Sequence, residues 1–136
     1  MKIGSIFVPV SDLNHSAEWY EAHLGLQRIG EWEGGIGYAL PDGSAQLALV
    51  RTKTHQGTEF LLDEKERHVF FNLLVPDARA LHLKLSTRAV VTTPIKEENG
   101  MKYFDFFDLD GNTFSVVEEN PDSPFHPDHL GENPNK

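Results

Sequence analysis

The sequence predicts an α+β fold built from two successive βαβββ modules. Three observations predict it: an apolar β-forming run followed by a capped helix occurs twice, each is followed by strand candidates, and Asp-Gly turns fall at matching places. Val8-Pro9-Val10-Ser11-Asp12 is answered by Leu73-Leu74-Val75-Pro76-Asp77, and Pro41-Asp42-Gly43 by Leu109-Asp110-Gly111. The two offsets differ by about three residues, as small loop changes in a tandem repeat would produce.

In the first module, Ile3 to Val10 reads as a strand and Asp12 as the N-cap of a helix. Leu13, Ala17, Tyr20 and Leu24 then recur at helical spacing, and Gly25 supplies the left-handed stop. Three strands should follow, over Gln27 to Glu33, Ile36 to Leu40 and Ala45 to Arg51, the last two joined by an Asp-Gly hairpin. Thr52 to Arg67 reads as a polar connection. The second module restarts with a strand over His68 to Val75, the cap Asp77 and a short stripe of Ala78, Leu81 and Leu85. Strands are expected at Ala89 to Thr93, Lys102 to Phe107 and Thr113 to Glu118, the last two joined through Asp110-Gly111-Asn112. The division is therefore a first module at 1–54, a linker at 55–67, a second module at 68–119 and an irregular tail at 120–136 that Phe125 and Leu130 could pin down.

Composition narrows the function. The 136 residues carry 21 Asp and Glu against 12 Lys and Arg, a formal charge of −9, which argues against nucleic acid because phosphate binding needs clustered bases. The same balance would steer a cationic ligand toward the protein, and it also serves solubility. No apolar run approaches the roughly 20 residues of a membrane span, and no basic amphipathic helix suggests a membrane surface. With no cysteine there is neither a disulfide framework nor a thiolate metal site, so the default location is cytoplasmic. No nucleophile elbow or phosphate-cradling glycine loop appears.

Val10-Ser11-Asp12-Leu13, Ser16-Ala17-Glu18-Trp19-Tyr20 and Leu24-Gly25-Leu26 resemble the first module of the glyoxalase/bleomycin-resistance/dioxygenase (vicinal oxygen chelate) superfamily. Phe107-Asp108-Leu109-Asp110-Gly111-Asn112 resembles its late turn, with Leu109 in place of the usual proline. The resemblance covers about residues 3 to 119. It implies modules whose mixed sheets curve and pair, a ligand held inside them, and chains that often form homodimers. In metal-using members it implies ligands on the first and last strands of each module. Those positions hold Ser5, seven residues before Asp12, Phe70, seven before Asp77, Ser115, three after Asn112, and Ala48, or Gln46 on a two-residue slip. Hydroxyl, phenyl and methyl groups are poor divalent-metal ligands, so neither a metal site nor another cofactor is expected. His68 with the tail residues His126 and His129 would be an unconventional substitute; the plainer reading makes them rim and tail residues. His15 and His23 sit on a part-exposed helix, and His55 and His82 fit no motif.

Alternation places Ser5 with Ile3 and Phe7, Ala48 with Gln46 and Val50, Phe70 with His68, Asn72 and Leu74, and Ser115 with Thr113 and Val117. Ile6, Val8, Leu47, Leu49, Phe71, Leu73, Phe114 and Val116 should then pack beneath the helices. The candidate ligand-binding residues are Ser5, Phe7, Trp32, Gln46, Ala48, His68, Phe70, Asn72 and Ser115, an apolar and aromatic lining with a few neutral hydrogen-bonding groups. Trp32, between Glu31 and Glu33, could hold a cation against its ring. No catalytic residue stands out. The leading expectation is a metal-free protein binding a small, partly apolar molecule, neutral or cationic, in the inter-module cavity. The alternative is a divalent-metal lyase, isomerase or dioxygenase with substituted ligands; an accessory association module ranks third.

Overall fold

The computed structural model describes residues 1–41, 45–119 and Asp122. The chain divides into two compact units, Met1–Phe70 with Phe107–Phe114, and Phe71–Phe106 with the chain from Ser115 on. Over the described residues the fold is α+β, with two helices, two four-stranded mixed sheets and a two-stranded one. Among the described residues no helix is long and apolar enough to cross a membrane.

In the first unit β1 (Ser5–Val10) leads to α1 (Leu13–Leu24), then β2 (Gln27–Trp32), β3 (Gly35–Ala39) and β4 (Gln46–Arg51). Asp12 caps α1, its carboxylate accepting from the His15 N–H at 3.0 Å, and Gly25 ends the helix at φ 61°. The sheet order is β1-β4-β3-β2, with β1 and β4 parallel and the other pairs antiparallel. Val8, Val10, Leu47, Leu49, Ile36 and Tyr38 are buried, as are Ala17 and Tyr20 of α1. That stripe makes the helix amphipathic and closes one face of the sheet. The turn between β3 and β4 falls on residues 42–44, outside the described residues.

The 52–71 segment departs from expectation. A hairpin of β5 (Glu59–Leu61) and β6 (Arg67–Val69) occupies it, with Phe60 opposite His68. The expected strand from His68 to Val75 is thus broken at Phe70 and Phe71, and its second half is β7 (Asn72–Val75). His68 and Phe70 consequently do not share a strand face with Asn72 and Leu74. The apolar run conceals two strands with different partners, which periodicity alone does not separate.

The second unit continues with α2 (Ala78–Thr87), β8 (Lys96–Glu98), β9 (Met101–Phe107) and β10 (Thr113–Glu118), in the order β7-β10-β9-β8 with β7 and β10 parallel. Asp77 caps α2 through the Ala80 N–H, and Glu118 accepts from the Ala78 N–H at 3.1 Å. Ala78, Leu85, Phe104, Phe106 and Val116 are buried, and His82 of α2 meets Phe104 edge-on at 5.0 Å. The outer strand is not Ala89 to Thr93 as expected. Those residues give only an isolated bridge between Thr92 and Phe106, and Lys96–Glu98 pairs with β9 instead. Ala89 spends its backbone ending the helix, at φ 62°, while the Val90 N–H reaches back to the Leu85 carbonyl.

Candidate functional site: the open faces of the two sheets

Directly paired residues point to the same side of a sheet, so register assigns the faces. In the first sheet Ser5, Phe7 and Pro9 pair with Gln46, Ala48 and Val50, and these with Ala39, Gly37 and Gly35. This row lies on the side away from the buried stripe. The floor is made of small residues, since Ala48 and both glycines are buried.

Trp32 lies across this floor. It pairs with Gly35, and a Cβ at Gly35 would overlap its indole, while one at Gly37 would sit 3.7 Å from the ring and 3.9 Å from Ile29. Glycine is thus required at position 35 for the indole to rest on the β3 backbone, whereas a methyl at 37 would make only ordinary contact. Trp32 remains 49% exposed, with Ile29 at 50% and Phe7 at 63%. Large apolar groups left in water around a floor of glycine and alanine form an apolar shelf.

A bulge at Arg28 to Gly30 assigns the neighbouring charges. It brings Arg28 and Glu31, otherwise on opposite faces, onto one side, where Arg28 pairs with Glu31 and, at 2.6 Å, with Glu21 of α1. The buried Tyr38 donates to Glu21 at 2.9 Å. Hydrogen bonds from Arg28 and then Tyr38 hold the Glu21 carboxyl below its usual range, and burial followed by Glu21 pushes the Tyr38 phenol up. Glu31 is thereby turned away from the indole. Of the two carboxylates expected beside Trp32, Glu31 is engaged on the other side of the sheet.

A groove of about 280 Å³ runs past Lys2, Ile3, Ile29, Ala39 and Gln46 at one end of the shelf. That is near the lower bound of about 300 Å³ for small-molecule sites. Five candidates, Ser5, Phe7, Trp32, Gln46 and Ala48, therefore gather on one face. His68 and Phe70 go elsewhere in the same unit, where Phe60 of the β5–β6 hairpin packs 5.7 Å from His68 and 5.2 Å from Phe70. His68 Nδ1 lies 2.9 Å from the Val69 carbonyl. His126 and His129 lie outside the described residues, as do Phe125 and Leu130.

The remaining two candidates, Asn72 and Ser115, are register partners in the second sheet. Their open face differs in kind. Ser115 Oγ donates to the Asp105 carboxylate at 2.7 Å, and Tyr103, two residues earlier on β9, bonds to Glu98. Burial first, and then that bond, raises the Tyr103 phenol. Asp105 was missed by sequence reasoning. Its signal was the alternation of β9, where Phe104 and Phe106 turn inward and Tyr103 and Asp105 outward.

A further cluster is structural. The Asp108 carboxylate, buried in the late turn of the first unit, accepts from Tyr20 at 2.5 Å, from the Asp110 and Asn112 N–H groups, and from Asn112 Nδ2. Asn112 Nδ2 also donates to the Pro9 carbonyl at 2.8 Å. Burial first, and then Asp108, drives the Tyr20 phenol far above its usual range.

The positions at which the resemblance implies metal ligands do not supply suitable donors. Ala48 and Phe70 have no lone pair to give, and the Ser115 hydroxyl is directed at Asp105. Among the described residues no three His, Cys, Asp or Glu side chains gather where an ion could be held.

Two βαβββ halves, each with its first strand parallel to its last, define a chain of the paired-module type. It belongs to the Glyoxalase/Bleomycin resistance protein/Dioxygenase superfamily, whose sequence profile matches residues 2–116. No curated protein matches the chain. Among solved structures it is similar to a member of this superfamily from Sphaerobacter thermophilus DSM 20745, with 21% identity, 88% of this chain and 98% of that one covered, and a TM-score of 0.73. It is similar to TnmS3, an antibiotic binding protein from Streptomyces sp. CB03234, at 19% identity, with 88% and 97% covered and a TM-score of 0.72. Oxidase ChaP-H2 is 14% identical, with 90% and 97% covered and a TM-score of 0.66. At such identities the likeness establishes the fold, on which binding proteins and enzymes both occur.

Proposed function

We propose that the protein binds a small, partly apolar molecule without a metal, and that the Trp32 shelf is the surface that holds it. The observation that carries this is an indole laid over Gly35 and Gly37, with Ile29 beside Gly37, its outer side exposed to water, and Phe7 exposed on the same face, two strands from Gly37. A planar apolar ligand stacking there would displace that water, and aromatic stacking adds roughly 0.5–1.5 kcal/mol beyond area burial. Gln46 and Ser5, both on this face, supply neutral hydrogen bonds that would orient it. The antibiotic-binding neighbour supports binding as a use of this fold. The same reading takes the protein to be a cytoplasmic homodimer, the first on its lack of cysteine and the second on kinship alone.

The competing reading is a divalent-metal lyase, isomerase or dioxygenase, which calls for at least three donors converging on one point. The donor chemistry described above favours binding.

Quenching of tryptophan emission by quinoline, a neutral planar probe at pH 7.5, tests the proposal. Wild-type protein should show saturable quenching, and Trp32→Leu should abolish it although Trp19 remains. Unchanged quenching in Trp32→Leu would place the probe elsewhere and reject the shelf.

A further inference from the structure

The second unit carries a charged constellation that the Trp32 shelf does not use. Asp105 projects from β9 on the side opposite Phe104 and Phe106, which are almost fully buried. One carboxylate oxygen, Oδ1, accepts from Ser115 Oγ at 2.7 Å. The backbone beneath it is fixed twice, with the Asp105 N–H donating to Thr93 Oγ1 at 2.8 Å and the Thr93 N–H to the Asp105 carbonyl at 2.9 Å. Ser115 is the register partner of Asn72, which is exposed. The result is a held carboxylate, a hydroxyl and an amide side by side on an open sheet face.

Of the nearby cations, Lys96, the register partner of Tyr103, shares the open face but forms no ion pair with Asp105, and Lys102 is directed elsewhere. Lys102 pairs with Glu118 at 3.8 Å, on the side of the sheet where Glu118 meets the start of α2. Among the described residues no Lys, Arg or His forms an ion pair with Asp105. The second oxygen of Asp105 accepts no hydrogen bond there either. A carboxylate oxygen seated this way is open to a charge-assisted hydrogen bond from a cationic donor.

We propose that Asp105, Ser115 and Asn72 form a subsite for a hydrogen-bond-donating cation of the amidinium, guanidinium or primary ammonium class. The inference rests on the reading that the chain binds small molecules, and it adds the charge class. Asp105 supplies the charge and an accepting oxygen, Ser115 locks the carboxylate rotamer, and the Asn72 carbonyl offers a second acceptor. The net charge of −9 aids the approach of such a group.

Benzamidine and its neutral counterpart benzamide separate charge from shape. Titration of the full chain, followed by amide NMR shifts, should show benzamidine binding about tenfold more tightly, with shifts at residues 72, 105 and 115. Asp105→Asn, which keeps the shape, should level the two probes, whereas Ser115→Ala should weaken benzamidine while keeping the preference. Equal binding of the probes to wild type, or shifts confined to other residues, overturns the proposal even if the variant does not fold. So does a preference that survives in Asp105→Asn alongside a fall in thermal stability, which would make Asp105 a structural residue. Quinoline quenching of Trp32 reads the shelf separately. Its persistence in Asp105→Asn leaves the shelf standing if the cation subsite fails, and its absence in wild type removes the shelf itself.

Discussion

The two sheets share one strand order and one rule for their inward faces, yet their outward faces are chemically unlike. Inward, both present aliphatic and aromatic residues, Val8, Leu47, Leu49 and Tyr38 in one and Phe104, Phe106 and Val116 in the other. Outward, the first presents Phe7, Trp32 and Ile29 over glycine and alanine, and the second Asn72, Ser115, Asp105 and Tyr103. A repeated fold constrains only the side that meets the helix. The other side is free to differ, and there a fold of many uses acquires its particular chemistry.

The sharpest way to break this contrast is to remove one large ring from each kind of face. Phe104→Ala, on the inward side, should cost about 3–5 kcal/mol in denaturant unfolding, because it opens a cavity beside His82 and α2. Phe7→Ala, largely exposed already, should change stability by about 0.5 kcal/mol or less while weakening quinoline binding. Equal losses would mean that Phe7 is a core residue.

Asp108→Ala comes next. It strands the buried Tyr20 hydroxyl and the donors of the late turn, and about 3 kcal/mol should be lost. The same pair makes the fold sensitive to alkali. Burial and Asp108 raise Tyr20 in the folded state, so the unfolded chain releases that proton first. Stability is therefore full below about pH 10 and falls above it, by about 1.4 kcal/mol per pH unit for each such tyrosine. Tyr20→Phe should start lower and show a shallower alkaline decline; an unchanged decline would assign it to other groups.

These tests also show what the sequence made legible. Local signals held: Asp12 and Asp77 cap their helices, and Gly25 stops the first, because a cap depends on residues within one turn. The four strands of the first module were likewise legible as apolar runs between turn signals. Hidden were features decided by distant partners. Phe70 and Phe71 contain no glycine or proline to mark the break between β6 and β7, and only the pairing with β5 reveals it. Ala89 to Thr93 has strand composition, yet its first residue was needed to end α2. In the site, Trp32 was legible as an exposed aromatic, but its seating required knowing that Gly35 lies opposite. Asp105 looked like one solvated charge among many until β10 placed Ser115 beside it.

Smaller effects sharpen the account further. Gly35→Ala should lift the indole from the sheet, shifting the tryptophan emission and reducing quinoline quenching, with a loss of about 1 kcal/mol in stability. Ala89→Gly should gain about 0.5–1 kcal/mol in thermal unfolding, since glycine adopts the positive φ there without strain. A loss at Ala89 would show that its methyl group is packed.

The central claim is that a tryptophan shelf, and no metal centre, holds the ligand. Quinoline binding before and after exhaustive chelation of divalent ions tests it most directly. The account predicts superimposable quenching curves, both abolished by Trp32→Leu. Binding that disappears on chelation and returns with a stoichiometric divalent ion would contradict it.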